Sequence, residues 1–202
     1  MAPAMDDRID WSQVRQALAR LPRVDAVPEF DRTAAVAVIL RERSRRTEVL
    51  LIRRATRAGD PWSGHMGLPG GHREAGDRDL LATALRETHE EIGLDLQRVA
   101  EPLGSLPAVQ ASARGQALSM QITPFVFGLV SAAEPRASNE VEEVLWAPIG
   151  PLARSENPTL IQVDHGGKMV ELPGWDVSGR TVWGLTYQML STLFRAVRST
   201  AP

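Results

Sequence analysis

The segment at residues 83–94, TALRETHEEIGL, is the most constraining feature of the sequence. Its apolar spacing predicts an amphipathic helix that ends at Gly93, a residue suited to a left-handed cap. Glu87, Glu90 and Glu91 then lie at the helix end where backbone carbonyls already make the potential negative. Glu87 also faces the other two glutamates one turn on, so the like charges repel one another. A sequence that breaks two local rules together is expected to do so for function.

A divalent cation would reverse the sign of both penalties, so the acidic cluster predicts a metal site. The candidate ligands are carboxylate oxygens and the chain contains no cysteine. This donor set favours Mg²⁺, with Mn²⁺ as the alternative, over zinc or copper. The competing interpretation is a solvent-exposed acidic helix face paired with Arg86, which an isolated cluster of this kind would favour.

An amphipathic helix with a capping box formed by Asp10 and Gln13 is predicted near the amino terminus. Its apolar stripe serves equally to cover the chain's own core or a partner subunit in a homodimer, and consists of Trp11, Val14, Leu18 and Leu21. Pro22 and Pro28 bracket the linker that follows. The sequence therefore divides into an amino-terminal helix and linker, residues 1–30, and a larger domain, residues 31–202.

The larger domain is predicted to be mixed α/β. TAAVAVIL and EVLLIRRA have the composition of two neighbouring strands, and the loop RAGDPWSGHMGLPGGH leads from them to the acidic helix as the rim of a pocket. That helix is expected over residues 77–92. Further strands are expected in PLGSLPAV, LSMQITPFVFGLV and EVEEVLWAPI, with QASARGQA as a polar loop. A second long helix over TVWGLTYQMLSTLFRAV, with Trp183 in its core-facing side, closes the domain.

Charge and hydropathy exclude several classes of protein. The formal net charge of -2 gives no basic face for nonspecific binding of nucleic acid, so any nucleotide bound is expected to be a small molecule. No apolar run approaches the roughly 18 residues that a membrane-spanning helix needs. The amino terminus MAPAMDDRID lacks the apolar core of a secretory signal. We therefore expect a cytoplasmic protein that does not bind membranes.

The stretch GGHREAGDRDLLATALRETHEEIGL resembles the Nudix box, whose pattern is G-x5-E-x7-R-E-U-x-E-E-x-G-U, where U is aliphatic. The half from Arg86 onward matches every fixed charged and glycine position, and Thr88 replaces one aliphatic residue. The spacing between Gly71 and Arg86 is one residue longer than the pattern, with Glu74 and Asp77 in place of the box glutamate. A similarly expanded box occurs in the coenzyme A pyrophosphatase-like branch, which the segments VWGLT, ITPFV and NEVEEVLWAPI also resemble.

This resemblance implies an α/β/α sandwich with a mixed β-sheet between helices. It also implies hydrolysis, dependent on Mg²⁺ or Mn²⁺, of the diphosphate in a nucleoside diphosphate linked to a group X. By the same resemblance Glu87, Glu90 and Glu91 hold the metal with the backbone carbonyl of Gly70, and Arg86 orients the carboxylates. A pyrophosphate is densely anionic, so metal ions are needed to bring it to a carboxylate cluster.

The general base and the groups that bind substrate are left open by the sequence. The base is Glu87 itself or a downstream carboxylate, for which Glu140 and Glu143 are the candidates. The candidate substrate-binding residues are Arg53, Arg54, Arg57, Trp62 and Gly71, where the arginines would grip phosphates and Trp62 would either stack on a base or pack in the core. The histidines near the cluster, namely His65, His72 and His89, are expected to be incidental.

Coenzyme A or a derivative is the first expectation for the substrate. The alternatives are ADP-ribose or another nucleotide sugar, and a nucleotide-sensing domain that keeps the fold without catalysis. The intact glutamate triplet favours an enzyme, whereas the missing box glutamate leaves room for the sensor.

Overall fold

The computed structural model describes residues 8–21, 32–57, 62–113, 116–165 and 167–199. The helices are α1 (Trp11–Ala19), α2 (Leu80–Ile92), α3 (Leu96–Val99), α4 (Ile149–Ala153) and α5 (Gly184–Arg198). The strands are β1 (Arg32–Arg43), β2 (Arg46–Arg54), β3 (Met66–Gly67), β4 (Gly70–His72), β5 (Ala100–Ser105), β6 (Val109–Ala113), β7 (Gln116–Leu129), β8 (Val141–Pro148), β9 (Pro158–His165), β10 (Lys168–Val177) and β11 (Arg180–Trp183). None of the helices in these ranges is long and apolar enough to cross a membrane.

Eight of the described strands form one mixed sheet. Its main path runs β3-β2-β1-β7-β5, while β4 pairs with β1, β6 with β7 and β8 with β2. β1 and β7 are parallel, and the other neighbours in this sheet are antiparallel. The predicted pairing of β1 with β2 is confirmed as a hairpin. Ser44 and Arg45 at its turn both have positive φ, 51° and 63°, the sign that matches the right-handed twist of a two-residue hairpin.

The sheet is covered by helices on both faces. Successive side chains of β1 point to opposite sides, so Val36 and Val38 join a core formed with α1, α4 and α5, whereas Ala37 and Ile39 join a second core formed with α2 and α3. A strand buried on both faces needs a nearly continuous apolar run, which TAAVAVIL provides. The predicted α/β/α sandwich is confirmed.

The amino-terminal helix covers the chain's own core. Asp10 and Gln13 form the predicted capping box, with the Asp10 side chain accepting a hydrogen bond from the Ser12 N–H at 2.7 Å. Val14 and Leu18 are buried in the same core as α5 and β5. The predicted linker with Pro22 and Pro28, and the boundary at residue 30, lie outside the described residues.

Two sequence-based expectations about the bounds of strands and helices were wrong. Most of QASARGQA is strand rather than loop, because β6 continues to Ala113 and β7 begins at Gln116, and these two strands pair with each other. The last helix begins at Gly184 rather than at Thr181. The three residues before it belong to β11, and the positive φ of Gly184, 61°, lets the chain turn from strand into helix.

A second sheet, β11-β10-β9, was not predicted. It is antiparallel, and one of its faces packs on α5. Trp175 of β10 lies with its ring centroid 4.3 Å from that of Tyr187 and 5.8 Å from that of Phe194. This contact fixes the small sheet beside the start of α5, close to the Gly- and Pro-rich loop.

Candidate metal and substrate site

Helix α2 presents one apolar and one acidic side to the protein. It begins at Leu80, three residues later than predicted, because Asp79 is the N-cap and accepts a hydrogen bond from the Ala82 N–H at 2.7 Å. Ile92 and Thr88 are fully buried beneath the sheet, and the Thr88 hydroxyl donates to the Ala84 carbonyl at 2.7 Å. Threonine is therefore tolerated where the family pattern has an aliphatic residue, since its hydroxyl is satisfied within the helix.

The carbonyls at the end of α2 are capped by the chain itself. Gly93 has the predicted left-handed conformation, with φ 68°. A segment that passes the helix end donates two backbone hydrogen bonds, from Arg136 N–H to Ile92 O at 2.8 Å and from Ser138 N–H to Glu91 O at 2.9 Å. These donors offset part of the negative potential that the acidic cluster meets there.

Glu91 points inward, toward β4. Its side chain is 3% exposed, and Oε2 accepts a hydrogen bond from the Gly70 N–H at 2.9 Å. Arg54 Nη1 lies 3.7 Å from Oε1. Burial raises the pKa of Glu91 to about 7, and these two partners only partly compensate it.

Glu87 lies one turn earlier on the same side of α2 and faces Gly71. A Cβ atom at position 71 would stand 2.6 Å from the Glu87 carboxylate, so only glycine leaves room for this side chain. Burial raises the pKa of Glu87, although Arg86 acts in the opposite direction. Glu90 differs from both, because its side chain is 56% exposed.

Arg86 holds the acidic cluster in place. Its Nε and Nη2 atoms each donate to Asp77 at 3.0 Å, and Nη2 also donates to the His72 carbonyl at 3.0 Å. Nη1 donates to both Glu87 and Glu90 at 3.0 Å. The Arg86 hydrogen bonds hold the pKa of Asp77 far below its usual range. The orienting role of Arg86 stays a prediction, and these are the contacts through which it would act.

Asp77, one of the two acids predicted in place of the box glutamate, is the partner of Arg86. It is buried, it accepts hydrogen bonds from the Glu74 N–H and the Thr83 hydroxyl at 2.9 Å, and it anchors Arg86. Counted from Gly71, Asp77 stands where the family pattern has its glutamate, and that spacing was the available signal. Glu74, the other acid in that stretch, is largely exposed and lies 3.8 Å from Arg86.

The two downstream base candidates have different surroundings. Glu140 is half-exposed and pairs with Arg57 at 3.2 Å. Burial is the main cause of the raised pKa of Glu87 and Glu91, and the negative charge of Glu140 is a smaller one. Glu140 is therefore close enough to the acidic cluster for its charge to act on both glutamates. Glu143 instead makes a two-pronged ion pair with Arg180 of β11, which ties β8 to the small sheet.

Arg53 and Arg54 are adjacent in β2 but reach different partners. Arg54 lines the cavity described below and approaches Glu91. Arg53 pairs with Glu142 at 2.9 Å on the surface and does not line that cavity. The physical reason is the alternation of side chains along a strand. The structure therefore brings Arg54, and not Arg53, to the site.

A cavity of about 1000 Å³ opens beside the acidic cluster. Arg54, Gly70 and Gly71 line the end next to Glu87 and Glu91. The Gly- and Pro-rich loop forms part of the rim, as predicted, through Trp62 and His65. Trp62 is half-buried and also packs on the core, so both of its expected roles are compatible with its position.

Trp183 also lines the cavity, although it was expected in the core. Its ring centroid lies 4.9 Å from that of His65, and His72 lines the same cavity through β4. These two histidines are therefore closer to the candidate site than expected. His89 is exposed in the last turn of α2.

The donor chemistry of the cluster fits a hard divalent cation. Glu91 and Glu87 bring oxygen ligands into a partly dehydrated place, and the pKa of each is raised because burial leaves its charge poorly compensated. The described residues contain no group of three or more acidic or histidine side chains already gathered as a metal cluster. Glu87 and Glu90 instead share Arg86 Nη1, which lies 3.0 Å from an oxygen of each. The metal assignment stays a prediction.

A protein-family model described as the NUDIX domain matches residues 31–163. Among curated relatives, an uncharacterized protein of Schizosaccharomyces pombe is 42% identical over 119 residues, which cover 57% of this chain and 36% of the relative. The chain thus spans just over a third of that relative's length. The mitochondrial coenzyme A diphosphatase NUDT8 of Mus musculus is 30% identical over 179 residues, which cover 88% of this chain and 82% of the relative.

Among solved structures, a binary complex of an Ap4A hydrolase from C. elegans is similar to this chain. The TM-score is 0.47 and the identity 22%, over 61% of this chain and 84% of that one.

Proposed function

The chain belongs to the Nudix family of hydrolases, which act on pyrophosphate bonds, and from this membership we propose that it is a divalent-metal-dependent pyrophosphohydrolase of coenzyme A or a close derivative. The substrate would be a small molecule in which a diphosphate links a nucleoside to a group X. The substrate class is supported by the similarity to the mouse coenzyme A diphosphatase, which extends over most of both chains.

The observation that carries the proposal is the position of a buried carboxylate, Glu91, and a half-buried one, Glu87, at one end of a large cavity. Glu91 and Glu87 face the backbone of Gly70 and Gly71, and this glycine pair lines the cavity together with Arg54. A diphosphate placed at this end would lie between an arginine that attracts it and carboxylates that repel it. Such a combination needs a cation between the acids and the phosphates.

Each residue of the site is given a role in the proposed mechanism. Glu87, Glu90 and Glu91 would hold Mg²⁺ or Mn²⁺ with Gly70, and the bound metal would neutralise the charge that develops on the phosphates. Arg54 would orient the diphosphate through charge-assisted hydrogen bonds. Arg86, fixed by Asp77, keeps Glu87 and Glu90 in position.

The substrate would be bordered by Trp62 and Gly71. Arg53 would act only at the rim of the site, through its ion pair with Glu142.

The reaction exchanges one bond at phosphorus for another. The oxygen of a water molecule bonds to one phosphorus, the bond from that phosphorus to the bridging oxygen breaks, and the leaving phosphate keeps the bridging oxygen. A carboxylate takes the proton of the water. Glu87 and Glu140 are the two candidates for this base, because both lie on the side of the cluster, while Glu143 is held by Arg180.

The main argument for a nucleotide-sensing domain was the absence of the box glutamate, and Asp77 weakens this argument. A domain that has abandoned catalysis would be free to lose the anchor of Arg86, whereas here an aspartate makes two hydrogen bonds to it at 3.0 Å. The missing box glutamate is therefore a change of residue type rather than the loss of an ion pair. We favour the enzyme for this reason.

The substitution Glu91→Gln tests the proposal. The amide can still accept the hydrogen bond from Gly70, so the fold should persist, but the charge needed for metal is lost and kcat/KM should fall by at least about 100-fold. The control is Glu134→Gln, an exposed glutamate outside the site, which should keep wild-type activity. Turnover is measured by chromatography of the phosphorylated products. The substrates tested are coenzyme A, ADP-ribose, NADH, nucleotide sugars and nucleoside triphosphates, each in the presence of Mg²⁺ or Mn²⁺.

Full turnover by Glu91→Gln would rule out the assigned metal site. Tight binding of a member of this panel without hydrolysis by the wild type would instead favour the sensor. Faster hydrolysis of ADP-ribose or a nucleotide sugar than of coenzyme A would keep the reaction class and replace the substrate.

A further inference from the structure

The β9–β10 hairpin forms one wall of the cavity. Four apolar side chains of this hairpin line it, namely Ile161, Val163, Val170 and Leu172. The register places Ile161 opposite Leu172 and Val163 opposite Val170, so the four lie side by side on one face. All four are half-buried. We call them the inner face of the hairpin.

A second part of the cavity lining is also apolar. It is formed by the main sheet, where Ala34 and Val36 of β1 and Met120 and Ile122 of β7 line the same cavity and are buried. Both apolar β-surfaces line the same cavity as Arg54, Gly70 and Gly71. A ligand whose diphosphate lies at that end would therefore extend part of its structure between the two surfaces.

The outer face of the hairpin is different. Leu160 and Met169 point away from the cavity and are 64% and 57% exposed. They alternate along their strands with the inner-face residues, so the two faces of one hairpin can be changed independently.

The free edge of β9 reaches the cavity as well. On β10 only alternate residues, Val170 and Leu172, line it, whereas on β9 four consecutive residues, 161–164, do so. Consecutive residues of a strand share no face, so the cavity extends past the inner face to the edge of β9, where Gln162 and Asp164 add polar groups to its lining. Within the described residues β9 pairs with β10 alone, which leaves backbone N–H and C=O groups on that edge for a ligand.

We infer that the inner face and free edge of β9 bind the non-nucleotide arm of the substrate, and that this arm is an extended, uncharged chain with amide groups rather than a sugar. The inference rests on the proposed function. Methylene groups of such an arm gain by contact with the two apolar walls, and its amides can pair with the edge of β9. A hydroxyl-rich sugar would leave polar groups without partners against Val163 and Val170. Pantetheine, the arm of coenzyme A, has the required chemistry.

The test compares two double variants of the hairpin on two substrates. Val163→Thr with Val170→Thr places hydroxyls on the inner face while keeping β-branched side chains of similar size. Leu160→Thr with Met169→Thr places the same number of threonines on the outer face. Dephospho-coenzyme A and ADP-ribose share the adenosine diphosphate and differ in the arm, so their ratio of kcat/KM reports on the arm alone.

The inner-face variant should lower this ratio about tenfold, and the outer-face variant should leave it within about twofold of the wild type. An equal loss on both substrates, no loss, or a wild-type preference for ADP-ribose would overturn the inference. If ADP-ribose is not turned over, the inhibition constant of ADP replaces kcat/KM for ADP-ribose as the reference. Because ADP has no arm, this constant should be unchanged in both variants. Thermal melting of both variants excludes unfolding as the cause.

A failure of the proposed function is separable from a failure of this inference. If the wild type hydrolyses neither substrate, calorimetric binding of dephospho-coenzyme A still tests the hairpin. About tenfold weaker binding by the inner-face variant than by the outer-face variant would then support the inference. Equal binding by the two variants, or no binding by the wild type, would overturn it.

Discussion

At the scale of single residues, the site depends on how Arg86 is shared. One guanidinium carries the pair with Asp77 on one side and the bonds to Glu87 and Glu90 on the other. Asp77 is 7% exposed, so its charge is removed from water and is compensated mainly by Arg86. The geometry of the acidic cluster therefore depends on a residue that would not itself touch metal or substrate.

Asp77→Asn should lower the free energy of unfolding by about 2 kcal/mol, because it leaves a half-buried guanidinium without the negative charge of its main partner. Urea unfolding of wild type and variant measures the change. Activity should fall as well, since Glu87 loses its fixed neighbour.

The matched control is Glu74→Gln. Glu74 is an exposed acid 3.8 Å from the same arginine, and its loss should cost less than about 0.5 kcal/mol. Equal effects of the two substitutions would contradict the role given to Asp77.

At the scale of elements, the site is a contact between α2 and β4. Two adjacent glycines of β4 allow two acids of α2 to approach the backbone of the sheet. A Cβ at Gly70 would stand 2.2 Å from the Ala35 carbonyl oxygen, and a Cβ at Gly71 would meet Glu87. Gly70 is thus required by the backbone of β1, whereas Gly71 is required by a side chain of the site.

Gly71→Ala should reduce kcat/KM by about 100-fold with little effect on stability, because the added methyl displaces the flexible Glu87 side chain and not the backbone. Steady-state kinetics and thermal melting separate the two effects.

Gly76→Ala is the matched control, since a Cβ there would meet nothing within 4 Å. Its activity should equal that of the wild type. Wild-type activity of Gly71→Ala as well would show that the position of Glu87 does not matter for turnover.

At the scale of the whole molecule, the amino-terminal helix and the last helix share one core. Leu18 of α1 is buried beside Gly104 of β5, where a Cβ would lie 3.1 Å from a Leu18 methyl carbon. Arg15 pairs with Glu101 at 2.6 Å over the same contact. The helix that precedes the family-matched residues is therefore part of the folded unit around the sheet.

Leu18→Ala should lower the free energy of unfolding by about 3 kcal/mol through lost burial and a cavity. Urea unfolding is the measurement, and the exposed Gln16→Ala on the same helix should stay near the wild-type value. A neutral Leu18→Ala would mean that α1 leaves this core in solution.

The sequence alone determined the parts of this protein that depend on local patterns. The apolar period of α2, its left-handed cap at Gly93, the hairpin of β1 and β2, and the capping box of α1 each follow from residues close in the chain. The acidic cluster was also recognisable locally, because its charges oppose the helix dipole and one another. The α/β/α sandwich followed from these elements and the Nudix resemblance.

Only the tertiary structure decided which distant residues meet. In the folded chain Asp77 pairs with Arg86, and Trp183 packs beside His65. Arg53 pairs with Glu142 on the surface, whereas Arg54 lines the cavity. It also paired β9, β10 and β11 into a second sheet, in which the inner face of the β9–β10 hairpin lines the cavity. β9 and β10 contain proline, and β10 also glycine, which weaken the local signal of a strand. The partner of a side chain depends on register and on loop closure between segments far apart in the chain, which no periodicity within one segment encodes.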